Sequence, residues 1–527
     1  MNANGNNVSV TSFGKNFIVK FKNSNRYYEI NGKGNISEPQ EKIEDEFAGD
    51  ITKGGKYTGA DENTAYQVSC IEDLVELSIA TNGGKAELNI ASSNYSGKYI
   101  VLTRTLDFNS YFSYNDASTT KYKDLNGDGI EESIYLEMTK TEENCVGFTP
   151  IGTLSATFDG QENEIQNIYM KRSGKAALFA DVSTVKNIGI SGNITSTNDF
   201  AAGICIRTSH AIENCWNKAN VTAKGSLSCA GGITSGFGGT IKNCYNTGTI
   251  VGTLYVGGIA AGHGNGTTNI ENCYNTGNIG NGSSVSSASG ILGTNGNIIQ
   301  NCYNTGYINA GGNCYASGIC SNVKTIFNCY NTANIKGNHI SGICAIAVST
   351  SIVNCYNFGL LSGSMAGGIV QKTETCSKIY NCFNIADMTY GDALSESQSG
   401  LIKENSSNIK IKNCFSKGES TKYWAGQVYG YGTCGLVANN SGTIELEDCY
   451  YVKTSHINKA VNGMKDDPTK VTALDEADEE FYTSYVELLN SYVDEYNAKS
   501  TAEKTDTNGK NLYRFKIDAE TGYPVFE

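Results

Sequence analysis

A hexapeptide recurs through this chain at a set interval, and that interval limits what the chain can fold into. Ile212-Glu-Asn-Cys-Trp-Asn217, Ile241-Lys-Asn-Cys-Tyr-Asn246, Ile270-Glu-Asn-Cys-Tyr-Asn275 and Ile299-Gln-Asn-Cys-Tyr-Asn304 each start 29 residues after the last. The register continues at Ile326, Ile352, Ile379 and Ile411, decays at Leu446, and runs back to Val185 and Ile165. These eleven copies lie 20 to 35 residues apart. Such a period signals a repeat architecture in which each unit is stable only against its neighbours.

The inside of a copy selects the kind of solenoid. After I-x-N-C-Y-N comes a Gly-rich stretch and then a step such as Gly257-Gly258-Ile259 or Ser289-Gly290-Ile291. Apolar residues form short alternating runs bounded by Gly, Asn and Ser, which read as strands and turns rather than helix. The expected fold is all-β: a right-handed parallel β-helix, with a small N-terminal β/helix cap and a C-terminal helical cap. Coils about 4.8 Å apart would make eleven of them a rod roughly 50 Å long.

The alternation slips phase between Asn214 and Cys215, which predicts a bend there. Asn suits a bend because it tolerates left-handed backbone. Stacking would then align Asn214, Asn243, Asn272, Asn301, Asn328, Asn354, Asn381 and Asn413 into a ladder. Cys215, Cys244, Cys273, Cys302, Cys329, Cys355, Cys382, Cys414 and Cys449 share one slot, which Ile168 and Ile188 fill in the first two copies. A slot that accepts Ile is an inward apolar position, and free Cys packs as a small hydrophobe. Stacked thiols would also lie close enough to oxidise, so some disulfides stay open. Zinc is not expected, because the four His are scattered and there is no C-x-x-C pair.

The net charge of −13 argues against nucleic acid or an anionic membrane as partner. No apolar stretch approaches the roughly 20 residues of a membrane span.

The expected divisions are an N-terminal hairpin and linker (1–56), a lead-in and capping region (57–146), the β-helix (147–455) and a C-terminal cap (456–527). The hairpin pairs Phe17–Phe21 with Arg26–Ile30, and 39–64 reads as linker. Ser69–Ala80 reads as a short helix with a Ser69/Glu72 capping box, placed to cover the first coil. Asp475–Lys499 reads as a second helix, with a stripe through Phe481, Tyr485, Leu488, Leu489, Tyr492 and Tyr496, capping the far end beside a strand at 512–517.

Two constellations are candidate sites. Asp124-Leu-Asn126-Gly-Asp128-Gly-Ile-Glu131-Glu132 opens like a calcium loop, with oxygens at alternate positions around a hard cation. Asp124, Asn126, Asp128 and Glu132 would hold a structural Ca²⁺; the competing reading is a solvated Gly-Asp turn. The second is the row Trp216, Tyr245, Tyr274, Tyr303, Tyr330 and Tyr356, continued by Phe383, Phe415 and Tyr450. It follows the Cys slot and so faces outward. It would bind a glycan or a host or cell-surface protein, form a stacking ladder, or lie under a terminal segment. Glu213, Lys242 and Glu271 share a slot and read as an alternating-sign surface ladder. No catalytic residues are assigned. No Asp occurs between Asp199 and Asp387, and no Arg between Arg207 and Arg514. The regular coils therefore lack the clustered charges that polysaccharide-cleaving β-helices use.

The blocks 147–170 (GFTPIGTLSATFDGQENEIQNIYM) and 174–194 (GKAALFADVSTVKNIGISGNI), with the NCYNTGNI…GGI coils, resemble the GLUG-motif β-helix surface proteins of Gram-positive anaerobes. Similar repeats flank the catalytic part of some immunoglobulin-A-cleaving metallopeptidases. The resemblance covers roughly residues 57–527 and implies an extracellular or cell-surface setting. The N-terminus, MNANGNNVSVTS, lacks the basic start and apolar core of a secretory signal, so either the protein is cytosolic or the chain begins after a processed segment, and the resemblance favours the second. The expectation is a non-catalytic surface module, adhesin-like or a spacer. The alternatives are a carbohydrate-active β-helix enzyme or an accessory region of a surface peptidase.

Overall fold

The computed structural model describes residues 49–527 except 87–89, 109–145, 237–238, 264–267, 284, 390–396, 419, 422, 425–426, 429–433, 455–456, 464–465 and 468, and the backbone of four earlier strands. Those strands, Val8–Phe13, Asn16–Phe21, Arg26–Ile30 and Gln40–Glu41, form an antiparallel sheet in sequence order. The expected hairpin is present, with Phe17 opposite Ile30 and Lys20 opposite Tyr27.

The repeats wind as a parallel β-solenoid. One coil contains the short strands Thr240–Lys242, Tyr245–Asn246, Ile250–Val251, Tyr255–Gly257 and Ala260–His263. Equivalent residues stack in register: Ile241 lies opposite Ile270, Tyr245 opposite Tyr274, and Tyr255 opposite Ser287. Nine turns, from Trp216 to Tyr450, carry the repeat in this way. Two longer strands, Ile151–Arg172 and Phe179–Ser196, precede them.

One of the eleven sequence copies is out of register. Val185 pairs forward with Ile212 but backward with Phe158, and Ile165 faces Ile190 instead. The first turn therefore aligns Phe158, not Ile165, with the repeat. Ile188 fills the slot later taken by Cys, whereas Ile168, although buried, does not. The chain loops through Gln161 and Glu162, both at positive φ, and this insertion displaces the echo.

The bend falls where the phase slip puts it. Asn187, Asn214, Asn243, Asn272, Asn301, Asn328, Asn354, Asn381 and Asn413 all have φ between 52° and 57°. At each of these bends a side chain with a Cβ pays the cost of left-handed backbone, which Asn tolerates best after Gly. Ile212 before the bend and Cys215 after it both point inward and are fully buried. The thiols stack: the Cys215 N–H donates to Cys244 Sγ at 3.4 Å, and the pattern repeats at Cys244 and Cys273. Among the described residues every cysteine is unpaired, and the whole file from Cys215 to Cys449 is buried.

A second asparagine ladder runs inside. Asn217, Asn246, Asn275, Asn304, Asn331, Asn357 and Asn384 are fully buried. Each gives one amide hydrogen to a carbonyl two residues on, as Asn275 to Gly277 O at 2.8 Å. From Asn217 to Asn357 the other goes to the next coil's asparagine, as Asn275 Nδ2 to Asn304 Oδ1 at 2.8 Å. Burial of an amide is tolerable only with both donors used. The Gly-Gly-Ile step makes room for it: a Cβ on Gly258 would lie 2.5 Å from Asn275 Cγ.

Helix α1 (Ile71–Thr81) covers the first coil as expected: Leu74 and Leu77 are fully buried in one cluster with Leu102, Phe148 and Ile151. Its N-terminus differs from the Ser69/Glu72 box. Cys70 is the N-cap, and Asp73 is the reciprocal acceptor, taking Ser69 N (2.7 Å), Ser69 Oγ (2.9 Å) and Cys70 N (3.2 Å). The supposed linker is docked from residue 50 onward: Ile51 is fully buried, and Lys53 pairs with Asp73 at 2.6 Å.

Helix α2 (Glu479–Ala498) starts at Asp478, whose carboxylate accepts from the Phe481 N–H at 2.9 Å. It does not lie across the end of the rod. Its buried face packs on the flank, against Phe383 and Phe415. The end is closed earlier, where Val461 bridges Val437, Val471 pairs with Cys449, and Tyr451 is buried beneath.

Candidate binding face

Asp124, Asn126, Asp128 and Glu132 lie outside the described residues. Among the described residues, no group of three or more His, Cys, Asp and Glu is placed to hold a metal ion. The aromatic row is fully described, and its rings stack without a break from Trp216 to Phe383. Tyr245, Tyr274, Tyr303, Tyr330 and Tyr356 stack with centroids 4.9–5.0 Å apart and planes within 5°. Trp216 begins the stack at 6.1 Å from Tyr245, and Phe383 extends it at 5.1 Å from Tyr356. The coil spacing dictates this, since equivalent side chains on adjacent strands must stack about 4.8 Å apart.

The row has two halves. From Tyr330 onward the C-terminal segment lies on it. Phe526 meets Tyr330 and Tyr356, Phe515 meets Tyr356 and Phe383, and Tyr485 meets Phe383 and Phe415. The covering rings stand at 58–85° to the row, the edge-on and tilted geometry that aromatic quadrupoles favour. Tyr356 is 3% exposed, and Phe383 and Phe415 are fully buried. Burial pushes the Tyr330 phenol up to about 12 and holds Tyr356 and Tyr485 far above the usual tyrosine range. Tyr356 thus leaves the candidate ligand surface, because the chain itself occupies it, while Tyr330 stays half-exposed at the boundary against Phe526.

Trp216, Tyr245, Tyr274 and Tyr303 stay half-exposed. Beside them runs the outer asparagine ladder, each amide donating to the previous coil: Asn243 to Asn214 (3.0 Å), Asn272 to Asn243 (3.1 Å), Asn301 to Asn272 (3.0 Å). On the covered coils the second amide hydrogen goes to the C-terminal segment. Asn328 donates to Asn511 O (3.1 Å), Asn354 to Tyr513 O (2.9 Å), Asn381 to Leu489 O and Asn413 to Leu488 O (both 3.4 Å). Sequence reading found the outer ladder and the row. It missed the partners: Phe515, Phe526, and the helix residues Asn490 and Asn497 that pair with Phe515 and Leu512.

Two carboxylates near the face are paired. Lys242 Nζ lies 3.8 Å from Glu271, as the alternating ladder requires. Glu164 accepts from Trp216 Nε1 at 2.6 Å and from Lys218. A separate groove of about 620 Å³ is lined by Leu154, Asp181, Ser183, Arg207 and His210 among others. Ser183 Oγ lies 3.0 Å from His210 Nδ1 there. Asp181, the one carboxylate among the described residues that line it, is held by Arg207 at 2.6 Å and Lys175 at 3.6 Å. The groove therefore offers no acid/base carboxylate pair.

No protein-family model matches the chain, and no curated protein matches it. The chain is similar to a solved structure described as a putative immunoglobulin A1 protease from Bacteroides ovatus, at 15% identity over 90% of this chain and 97% of that one, with a TM-score of 0.22. Among the described residues no helix is long and apolar enough to cross a membrane.

Proposed function

We propose that this chain is a non-catalytic bacterial β-helix module that works at the cell surface or after secretion, and that it meets its partner on the open half of the aromatic row. One observation carries the reading: four stacked, half-exposed rings run beside an exposed line of side-chain amides, next to a stretch of the same surface that is already in use as an interface. The ion-paired carboxylates beside it support a binding rather than a catalytic role. The surface setting rests on the resemblance of the repeats to those of surface proteins. A structural calcium at Asp124, Asn126, Asp128 and Glu132 belongs to the same proposal. Melting temperature should then rise with added Ca²⁺ by linkage and fall with chelator.

The test is a screen of the protein against glycan and host-protein arrays, repeated with Tyr274→Ala combined with Tyr303→Ala. The double variant should stay folded and lose the ligand. Binding should change little with salt, since few charges line the face. A variant that stays folded and binds as before would refute the reading.

A further inference from the structure

The covered half of the row shows how this surface is occupied, and the open half repeats its chemistry. Residues 511–513 lie along the outer ladder. Asn328 takes them bidentately: its Nδ2 donates to Asn511 O at 3.1 Å, and its Oδ1 accepts from Tyr513 N at 3.0 Å. Asn354 Nδ2 then donates to Tyr513 O at 2.9 Å. The same Asn328 Oδ1 also accepts from Asn354 in the ladder, at 2.8 Å. Each rung thus keeps a spare hydrogen and a spare lone pair after the ladder is made; the C-terminal segment uses both at Asn328 and the hydrogen at Asn354. Just beyond, Phe515 presses against Tyr356 and Phe383.

Asn243 and Asn272 hold the same left-handed backbone and the same ladder bonds, and are exposed. Among the described residues no protein group takes their second hydrogen. The neighbouring rings restrict what lands beside them. Tyr245, Tyr274 and Tyr303 each have both faces against stacked neighbours. Trp216 backs onto Gly189, where a Cβ would lie 2.0 Å from its Nε1. A sugar needs an open aromatic face to lie on, and this stack offers only edges. Edges are what Phe515, Phe526 and Tyr485 contact on the covered half.

We infer that the open half binds an extended polypeptide segment of a partner, laid along the rod with backbone groups on Asn243, Asn272 and Asn301 and aromatic side chains against the tyrosine edges. This rests on the proposed role of the open row and names the ligand class for it. These three rungs span about 10 Å, which an extended chain crosses in about three residues.

The probe is a fluorescent synthetic peptide with the sequence of residues 510–517, which carries Tyr and Phe two residues apart. Its anisotropy is titrated with the full chain. Glycine keeps the left-handed bend, so Asn243→Gly and Asn272→Gly remove the amides without strain. Each should weaken binding about tenfold, the usual worth of a lost hydrogen-bonded contact. Serine in place of both aromatic residues of the peptide should abolish binding. Loss on Asn354→Gly in place of Asn272→Gly would mean exchange with the chain's own strand and would overturn the inference. So would binding that is indifferent to Asn243→Gly and Asn272→Gly. If the peptide does not bind but an arrayed glycan does, and Tyr274→Ala with Tyr303→Ala abolishes that, the binding role stands and the peptide inference fails. If neither ligand binds, both fall.

Discussion

The two halves of the aromatic row differ in their surroundings and hardly at all in sequence. Tyr303 and Tyr356 follow the same Asn-Cys pair two coils apart, yet one edges the open surface and the other is buried. The repeat fixes the stacking, while a segment more than a hundred residues further along decides which rings become core. A side chain's outward direction in a coil is therefore not the same property as exposure in the molecule.

The largest expected contrast is in stability. Phe383→Ala should destabilise the covered half by about 3–5 kcal/mol, because it opens a cavity beneath Phe515 and Tyr485. Tyr274→Ala should cost about 1 kcal/mol, the worth of its stacking contacts. Urea unfolding followed by hydrogen exchange at each coil measures both, since long arrays need not unfold in one step. Equal costs would erase the distinction between the halves.

The two asparagine ladders sharpen it. Asn275→Ala strands the Asn246 amide and Gly277 O in the interior and should cost about 2–3 kcal/mol. Asn272→Gly, on the open surface, should cost under about 1 kcal/mol by the same measurement. If the outer change proved the more damaging, the open ladder would be carrying fold and not waiting for a ligand.

pH should act on one end alone. Burial pushes the Glu76 carboxyl, on α1, up to about 7, and the nearby Asp73 and Asp50 add to the effect while Lys53 opposes it. A raised carboxyl binds its proton more tightly when folded, so its contribution is complete below the unfolded value and is lost as pH rises. Stability near α1 should fall between about pH 4.5 and pH 7, and Glu76→Gln should flatten that slope. Asp73, held below its usual range by its hydrogen bonds and Lys53, loses its contribution only at lower pH. The phenols under α2 titrate well above this window. Exchange protection there should stay level, and a shift at Phe383 would contradict the assignment.

The smallest expected difference concerns the thiols. Cys273 lies under the open half and Cys382 under the covered half, yet both are buried in one file. Labelling of both should be slow and similar, and should jump on unfolding, while exposed Cys376 reacts at once. Fast labelling at Cys273 alone would mean that the open half opens locally.

Much of the fold was legible because a repeat states its own register. The Asn bends, the inward Cys file and the stacked row all follow from one period and one phase slip. The exception teaches the rule: Ile165-Gln-Asn-Ile168 repeats the motif but not the register, because the turn through Gln161 and Glu162 shifts the chain without altering its composition. The inner ladder was harder to see. Alternation places Asn217 inward, but its tolerance of burial depends on an asparagine and a glycine from other coils.

By itself, then, the sequence determined the solenoid, its bends, its buried thiols and the presence of two terminal helices, because these depend on neighbours at a constant separation. Only the tertiary structure decided where α2 lies, which five rings of the row it and the chain end meet, and which four remain open. The helix stripe and the aromatic row are each apolar surfaces seeking a partner, and nothing local specifies the pairing. The choice is made by contacts across long separations, such as Tyr513 N to Asn328 Oδ1, whose worth depends on the whole coil stack being in place first.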